Sequence, residues 1–282
     1  MKKVGILLVF LALPFTSCQT PSATSADLLK ALSAIVKHEK DTSFVFPDSE
    51  KAMMREVSHY EENAGTSASV VNDSTSELAY DTTASYCRNS GDFSNVSGSD
   101  SSGQSYAHYL YKAADGRYLN PVVFSAQKTY TVLEKADFDT QYAQMLSDTK
   151  TPIEEQAKMI YGWIEWTVNY GMSSSSNPFS YSGMTCQSVS FSDITIRSEG
   201  NLTFTETLDI SAGDKNTHNV YTFEFASYLP KSLLQKGTQV SSESTSISTA
   251  TDETTFSWGE CTLIYPDLSS YSLASPGTGG FF

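Results

Sequence analysis

The chain has few charged residues and very few basic ones. Only 18% of its 282 residues are charged, and 18 Lys and Arg stand against 32 Asp and Glu, giving a formal net charge of −14. A nucleic-acid backbone repels such a chain, so we expect no nucleic-acid partner. The one long apolar run covers residues 4–13, about half of what a membrane-spanning helix needs. Nucleic-acid binding and a polytopic membrane fold are therefore excluded.

The familiar signatures of catalysis and cofactor binding are also missing. The sequence contains no GxSxG, GxxxxGK[ST], HExxH or GxGxxG segment. The spacing from Glu56 to His59 occurs once, whereas a di-iron bundle needs two such pairs. We therefore expect no metal and no cofactor, and a role in binding or structure. A hydrolase remains an alternative, with one of the 44 serines as nucleophile and His108 or His218 as base.

The first residues have the layout of a secretory signal. Lys2 and Lys3 precede the apolar run, and Pro14 ends it. The next four residues, Phe15-Thr16-Ser17-Cys18, resemble the lipobox of bacterial lipoproteins, with Phe15 where Leu is usual. The resemblance implies cleavage after residue 17 and acylation of Cys18. It also implies an exported, lipid-anchored protein of the cell envelope, and Gln19 is compatible with the outer membrane. An ordinary cleaved signal peptide is the alternative.

Three cysteines remain after Cys18. They are Cys87, Cys186 and Cys261, and no CxxC segment is present, which argues against a zinc ribbon or a thioredoxin-like site. An exported protein meets oxidising conditions, so one disulfide is expected. Cys186 and Cys261 lie in the same β-rich part of the sequence and are the preferred pair.

The N-terminal third predicts helices followed by irregular structure. A helix is expected over 26–39, capped by Thr24 or Ser25, and a second over 48–62. Residues 64–105 are rich in Ser, Thr, Asn, Asp and Gly, which is typical of loops, with one short strand between residues 78 and 87.

A hairpin and two helices are expected next. The hairpin pairs residues 106–112 with 118–124 around Asp115-Gly116, and 129–133 is a further strand. Helices are expected near 138–147 and 152–170. The second starts with Thr151 as its cap and Pro152 in its first turn, and it ends at Gly171.

The helix over 152–170 carries two apolar stripes. The first comprises Ile153, Ala157, Ile160, Tyr161, Ile164 and Val168. The second comprises Met159, Trp163, Trp166 and Tyr170. One sheet covers one stripe, so we expect the second stripe to pack against another layer of the protein. An aromatic groove for a ligand or partner is the alternative.

From about residue 185 the apolar residues recur every second position. This alternation is typical of an antiparallel sheet with one face buried. Glu206 is the one polar residue at an apolar position of its strand. A phase change near Ser192–Asp193 indicates a bulge, and strands are expected to continue over 238–249 and 254–265.

These patterns predict an α+β fold, in which N-terminal helices and a central helical pair pack on a C-terminal antiparallel sheet. The expected divisions are a signal peptide (1–17), a tether (18–25), a helical then Ser/Thr-rich region (26–105), an α+β domain (106–268) and a flexible tail (269–282). We expect a lipid-anchored cell-envelope protein that acts by binding or as structure. A periplasmic carrier or assembly factor with an apolar groove is the other alternative.

Overall fold

The computed structural model describes residues 23–42, 50–63, 66–172, 179–181, 184–241 and 246–274. The signal region and Cys18 lie outside these ranges. In chain order the elements are α1 (Ser25–Asp41), β1 (Lys51–Glu62), β2 (Val70–Asp81), β3 (Tyr86–Ser97), β4 (Asp100–Lys112), β5 (Tyr118–Phe124), β6 (Gln127–Leu133), α2 (Lys135–Trp166), β7 (Phe179–Tyr181), β8 (Met184–Ser198), β9 (Asn201–Ala212), β10 (Lys215–Ala226), β11 (Leu229–Ser241), β12 (Ile247–Trp258) and β13 (Ser272–Leu273).

All thirteen described strands belong to one sheet. Their order is β13-β6-β5-β4-β3-β2-β1-β12-β11-β10-β9-β8-β7. Each half is therefore a meander of sequential antiparallel strands, and the two meanders meet where β1 pairs with β12, with Ala52 opposite Trp258. Only β13 runs parallel to its neighbour, β6. We call this β1–β12 pairing the central seam.

The predicted α+β class is wrong, because the fold is dominated by this sheet. The segment expected as a helix over 48–62 is strand β1, in which Ala52 and Met54 are buried alternately. Its apolar residues have a spacing that also suits a helix. The segment is a strand because it pairs with β2 on one side and with β12 on the other. The segment expected to be irregular over 64–105 contains β2, β3 and the first six residues of β4. Ser, Thr and Asn suit long strands when both faces of the sheet reach solvent.

The two described α-helices lie on one face of the sheet, which we call the inner face. Helix α1 is confirmed, with Thr24 and Asp27 forming a capping box. The predicted pair of helices is one continuous helix, α2, with Pro152 inside it. Proline removes one backbone hydrogen bond there, and the buried stripe on both sides of it keeps the helix intact. A π-helical turn, Thr167–Gly171, follows α2, so the predicted end at Gly171 is confirmed. Neither helix is long and apolar enough to cross a membrane.

The main core lies between these helices and the inner face. Its largest fully buried side chains come from both layers and include Leu28, Leu32, Ile35, Ile153, Ile160, Ile164, Phe204, Phe223 and Phe225. The first stripe predicted for α2 is therefore confirmed as the buried one. The expected bulge is also confirmed, since the register between β8 and β9 shifts between Ser192 and Thr195.

A second, smaller core lies on the opposite, outer face. Residues 259–274 run across the outer face of the first meander, and we call them the C-terminal strap. The buried members of this core are Ala79, Tyr86, Tyr111 and Leu119, with Cys261 and Leu268 of the strap packed against them. The Tyr86 hydroxyl donates to the Ile264 carbonyl at 2.9 Å. The tail expected from residue 269 thus begins as part of the sheet, through β13.

Of the remaining predicted strands, some are confirmed and others lie at different positions in the chain. The hairpin of β4 and β5 and the strand β6 are confirmed, with Lys112 opposite Tyr118. The two last long strands lie earlier in the chain than the predicted ranges 238–249 and 254–265, since β11 covers Leu229–Ser241 and β12 covers Ile247–Trp258.

Candidate functional site

The four residues of the second stripe on α2 do not form one groove. Met159 and Tyr170 are 62% and 58% exposed and point away from the sheet. Trp163 and Trp166 are half-buried and pack against the main core, with their ring centroids 6.0 Å apart. The Trp163 ring also lies 4.5 Å from that of Tyr221 on β10. The candidate apolar groove is therefore split into two packed and two exposed residues.

Glu206 on β9 is the polar group that Trp163 covers. The Glu206 side chain is fully buried, with 0% exposure. The Trp163 indole N–H donates to its carboxyl Oε2 at 2.7 Å, and the Thr167 hydroxyl lies 3.2 and 3.3 Å from its two oxygens. Among the described residues no cation is paired with Glu206, and a buried carboxyl of this kind is held best in its neutral form.

The π-helical turn fits closely around this carboxyl. A side chain at Gly171 would bring its Cβ to 3.2 Å from the Trp166 ring and 3.5 Å from Glu206 Oε1. Thr167, the first residue of the turn, is itself fully buried. Because π-helical turns are rare, their coincidence with a buried acid marks a specialised junction between α2 and the sheet.

Burial sets the protonation of this junction. Loss of solvation raises the pKa of Glu206 to about 7, against the smaller lowering effect of hydrogen bonds from Trp163 and Thr167. The same burial raises the pKa of Tyr221 to about 12 and also raises the pKa of Cys186, and Glu206 adds to both shifts. Neither Tyr221 nor Cys186 can supply a positive charge to stabilise the carboxylate. The pKa of Glu206 therefore lies close to neutral pH.

Among the described residues, His218 does not form the serine–histidine–acid set that the hydrolase alternative needs. His218 Nδ1 lies 2.7 Å from Asp209, and Ser188 donates to the same carboxylate. The acid therefore stands between serine and histidine, whereas a nucleophile requires the histidine in the middle. His108 is hydrogen-bonded to Asn120 at 2.8 Å, and burial lowers its pKa. Within the described ranges, no group of residues suited to a metal ion is found.

The expected disulfide between Cys186 and Cys261 does not form, and Cys87, Cys186 and Cys261 are free thiols. Cys186 belongs to the main core on the inner face, whereas Cys261 packs in the second core on the outer face. The sheet separates them. Shared β-rich sequence did not reveal that the strap carries Cys261 around to the other side.

A concave site lies on the outer face of β1–β4, next to the strap. It is a depression of about 410 Å³, which we call the outer cavity. Its floor is made of small side chains on three neighbouring strands, Thr75, Ser90 and Ala107. Tyr109 forms one wall and also packs in the second core, so the cavity begins where the apolar cover of the strap ends.

Charged side chains surround the outer cavity. Arg55 on β1 and Glu77 on β2 lie opposite each other in the sheet register, and Asp92 on β3 lies on the far side. Beneath the strap, Glu77 forms an ion pair with Arg88, which is only 3% exposed. The Thr75 hydroxyl donates to Asp92 at 3.4 Å. A small floor with charged and aromatic walls is suited to holding a small polar molecule.

Comparison with known proteins assigns this chain to no family. No family model and no curated protein matches it. One solved structure, the S-type phycobiliprotein lyase CPES from Guillardia theta, is similar over 72% of this chain and 85% of its own, with 8% identity and a TM-score of 0.22. A TM-score this low carries no argument about fold or function.

Sequence reasoning missed the outer cavity entirely. Arg55 was assigned to a helix and Asp92 to a loop, so nothing in the pattern placed them on one face. Glu206 did give a signal, as a polar residue at an apolar strand position, although no role followed from it. Trp163, whose indole N–H donates to Glu206, belongs to the second apolar stripe predicted for α2.

Proposed function

We propose that this protein is a lipid-anchored cell-envelope protein that binds a small polar molecule in the outer cavity. The observation that carries the binding role is the cavity itself, with a floor of small residues and walls formed by Arg55, Asp92 and Tyr109. Under the strap, the outer face of the sheet carries large side chains such as Tyr86 and Tyr111. Directly beside it, the small side chains of the cavity floor leave space for a ligand. A depression of this size accommodates a ligand of roughly ten non-hydrogen atoms or more.

The apolar carrier role has less support. Trp163 and Trp166 are engaged in the main core, and the Trp163 indole N–H is used by Glu206. Moving these rings aside for an apolar ligand would expose a buried carboxyl whose hydrogen bonds hold it in place. The outer cavity requires no such rearrangement.

The proposed anchor rests on the sequence of residues 1–18. Removal of residues 1–17 takes away Lys2 and Lys3 and no acid, so the net charge of −14 becomes −16. An anionic membrane surface repels such a body, so acyl chains on Cys18 would have to supply the attachment. Residues 18–24 would then form the tether that precedes α1.

Replacing Cys18 by Ala should abolish incorporation of a labelled fatty acid in a bacterial host that processes lipoproteins. The wild-type chain should carry the label, because acylation requires the Cys18 thiol. Cys87→Ala provides the matched control and should keep the label. Label on Cys18→Ala would contradict the anchor while leaving the binding role in place.

Filling the outer cavity should remove binding. Ala107→Leu adds a branched side chain to the floor, between Ser90 and Val123. Equilibrium dialysis against a pool of amino acids, short peptides, sugars and organic acids should show at least one solute retained by the wild type. The variant should retain none of it. Ala114→Leu, in the exposed turn between β4 and β5, is the control and should bind like wild type. Equal retention by Ala107→Leu would sink the proposal.

A further inference from the structure

The charges at the outer cavity differ in whether a partner neutralises them. Glu77 is paired with the buried Arg88, so these two charges cancel. Arg55 and Asp92 form no ion pair within the part of the chain that the structure describes. The cavity therefore presents one positive and one negative group that remain available, on opposite sides of an uncharged floor.

The strand register fixes how far apart these two groups lie. Arg55 is opposite Glu77, and Asp92 is opposite Thr75, two residues away on the same face of β2. Two strand spacings and a two-residue step separate the Cα atoms by about 12 Å. Both side chains line the cavity, so a ligand of about one or two peptide residues has the length to contact both of them.

We propose that the outer cavity binds a zwitterion, a free amino acid or short peptide, with its carboxylate on Arg55 and its ammonium group on Asp92. This inference rests on the proposed function and names its ligand class. A guanidinium holds a carboxylate through two parallel hydrogen bonds, which a neutral solute cannot offer. The Thr75 hydroxyl, 3.4 Å from Asp92, helps to orient the carboxylate that receives the ammonium group.

The cavity lining accommodates the rest of such a ligand. Ser90 offers a hydroxyl to a peptide amide, and Tyr109 and Val123 offer apolar surface to a ligand side chain. Since Arg55, Arg88, Glu77 and Asp92 sum to zero charge, a ligand with a net charge gains less than one carrying both signs.

The test uses L-alanyl-L-alanine as the probe and amide chemical shifts of the folded chain as the readout. Titration should shift the signals of Ser90 and Ala107. Acetylating the amino group or amidating the carboxylate should each weaken binding about tenfold, since each removes one charge-assisted contact. Asp92→Asn should weaken binding of the free dipeptide but not of the acetylated one, and Arg55→Gln should weaken the free but not the amidated form. Arg117→Gln, in the exposed connection between β4 and β5, and Asp100→Asn, at the exposed start of β4, are the controls and should bind like wild type.

The outcomes separate this inference from the proposed function. Equal affinity for free and blocked dipeptides, or unchanged binding by Arg55→Gln and Asp92→Asn, overturns the zwitterion. The zwitterion is also overturned if the dipeptide shifts neither Ser90 nor Ala107 while dialysis still finds a solute that wild type retains and Ala107→Leu does not. In that case the proposed binding role is kept. If no solute is retained and no shift occurs, both proposals fall.

Discussion

The effect of Glu206→Gln on the free energy of unfolding should depend on pH. The difference between variant and wild type should be about 3 kcal/mol more favourable to the variant at pH 8 than near pH 4.5. The carboxyl pKa is about 7 in the folded state, against an ordinary value of 4.5. A difference of this size corresponds to about 3 kcal/mol, since each pKa unit contributes about 1.4 kcal/mol. Glutamine keeps an oxygen acceptor for Trp163, and its amide can donate to the Thr167 hydroxyl as the protonated acid would.

The direction of this pH dependence follows from the raised pKa. Below about pH 4.5 the carboxyl is protonated in both folded and unfolded chains, and its full contribution to stability is present. Between about pH 4.5 and 7 the unfolded chain releases its proton more readily, so the contribution is lost as pH rises. Above pH 7 the loss is complete and constant.

Urea unfolding from pH 4.5 to 8.5 measures this effect as the difference between variant and wild type. Other carboxyls, such as Asp81 and Asp209, have lowered pKa values and stabilise the fold as pH rises, but they cancel in that difference. Glu253→Gln, an exposed position on β12, should change stability by less than about 0.5 kcal/mol throughout. A flat difference curve for Glu206→Gln would show that the acid is not held neutral by burial.

Trp163→Ala should destabilise the fold by about 3–5 kcal/mol. The substitution leaves a cavity beside Tyr221 and removes the indole donor from the buried Glu206 carboxyl. Met159→Ala is the matched control, on the same predicted stripe of the same helix. Because Met159 is 62% exposed, its loss should cost less than about 0.5 kcal/mol.

Trp163→Phe separates packing from hydrogen bonding. Phenylalanine keeps an aromatic ring against Tyr221 but donates no hydrogen bond to Glu206. The indole hydrogen bond lowers the pKa of Glu206, so its loss should move the pH dependence to higher pH. Thermal unfolding at several pH values gives both readouts. If Trp163→Ala behaved like Met159→Ala, the indole would be a surface group and the groove interpretation would return.

The second half of the chain could be predicted because its strands bury one face. Phe204 and Leu208 alternate with Thr residues along β9, so the sequence period and the burial period coincide. The first meander gives no such signal. Over much of β2–β4, both faces carry Ser, Thr and Asn. The buried residues are Leu78–Asp81, Tyr86–Arg88 and Leu110–Tyr111 at one end of the strands, together with Gly91. A polar strand cannot be distinguished from a loop by composition, because its order comes from its neighbours.

The outer cavity depends on still longer-range information. Arg55, Asp92 and Tyr109 come from three strands, and their shared location follows only from the strand register. The strap that forms its border lies about 150 residues further along the chain. No local pattern relates these segments, whereas Trp163 and Glu206 each gave a local signal through helix and strand periodicity.

The central seam has a consequence for how the chain reaches its native state. It joins residues about 200 positions apart, Ala52 and Trp258 among them, whereas nearly every other strand pairs with its sequence neighbour. Neighbouring strands form hairpins quickly, but a contact across so long a loop carries a larger entropic cost and forms slowly. Each meander can therefore form before β1 pairs with β12, and until then these two strands are open edges.

Open edges of this kind recruit strands from other chains, so the interval before the seam closes is when aggregation threatens. A chain truncated before Ile247 lacks β12 and leaves one edge of β1 without its partner strand. Such a fragment lacks the pairing that joins the two meanders, and it also loses Cys261 and Leu268 of the strap, which pack on the outer face of the first meander.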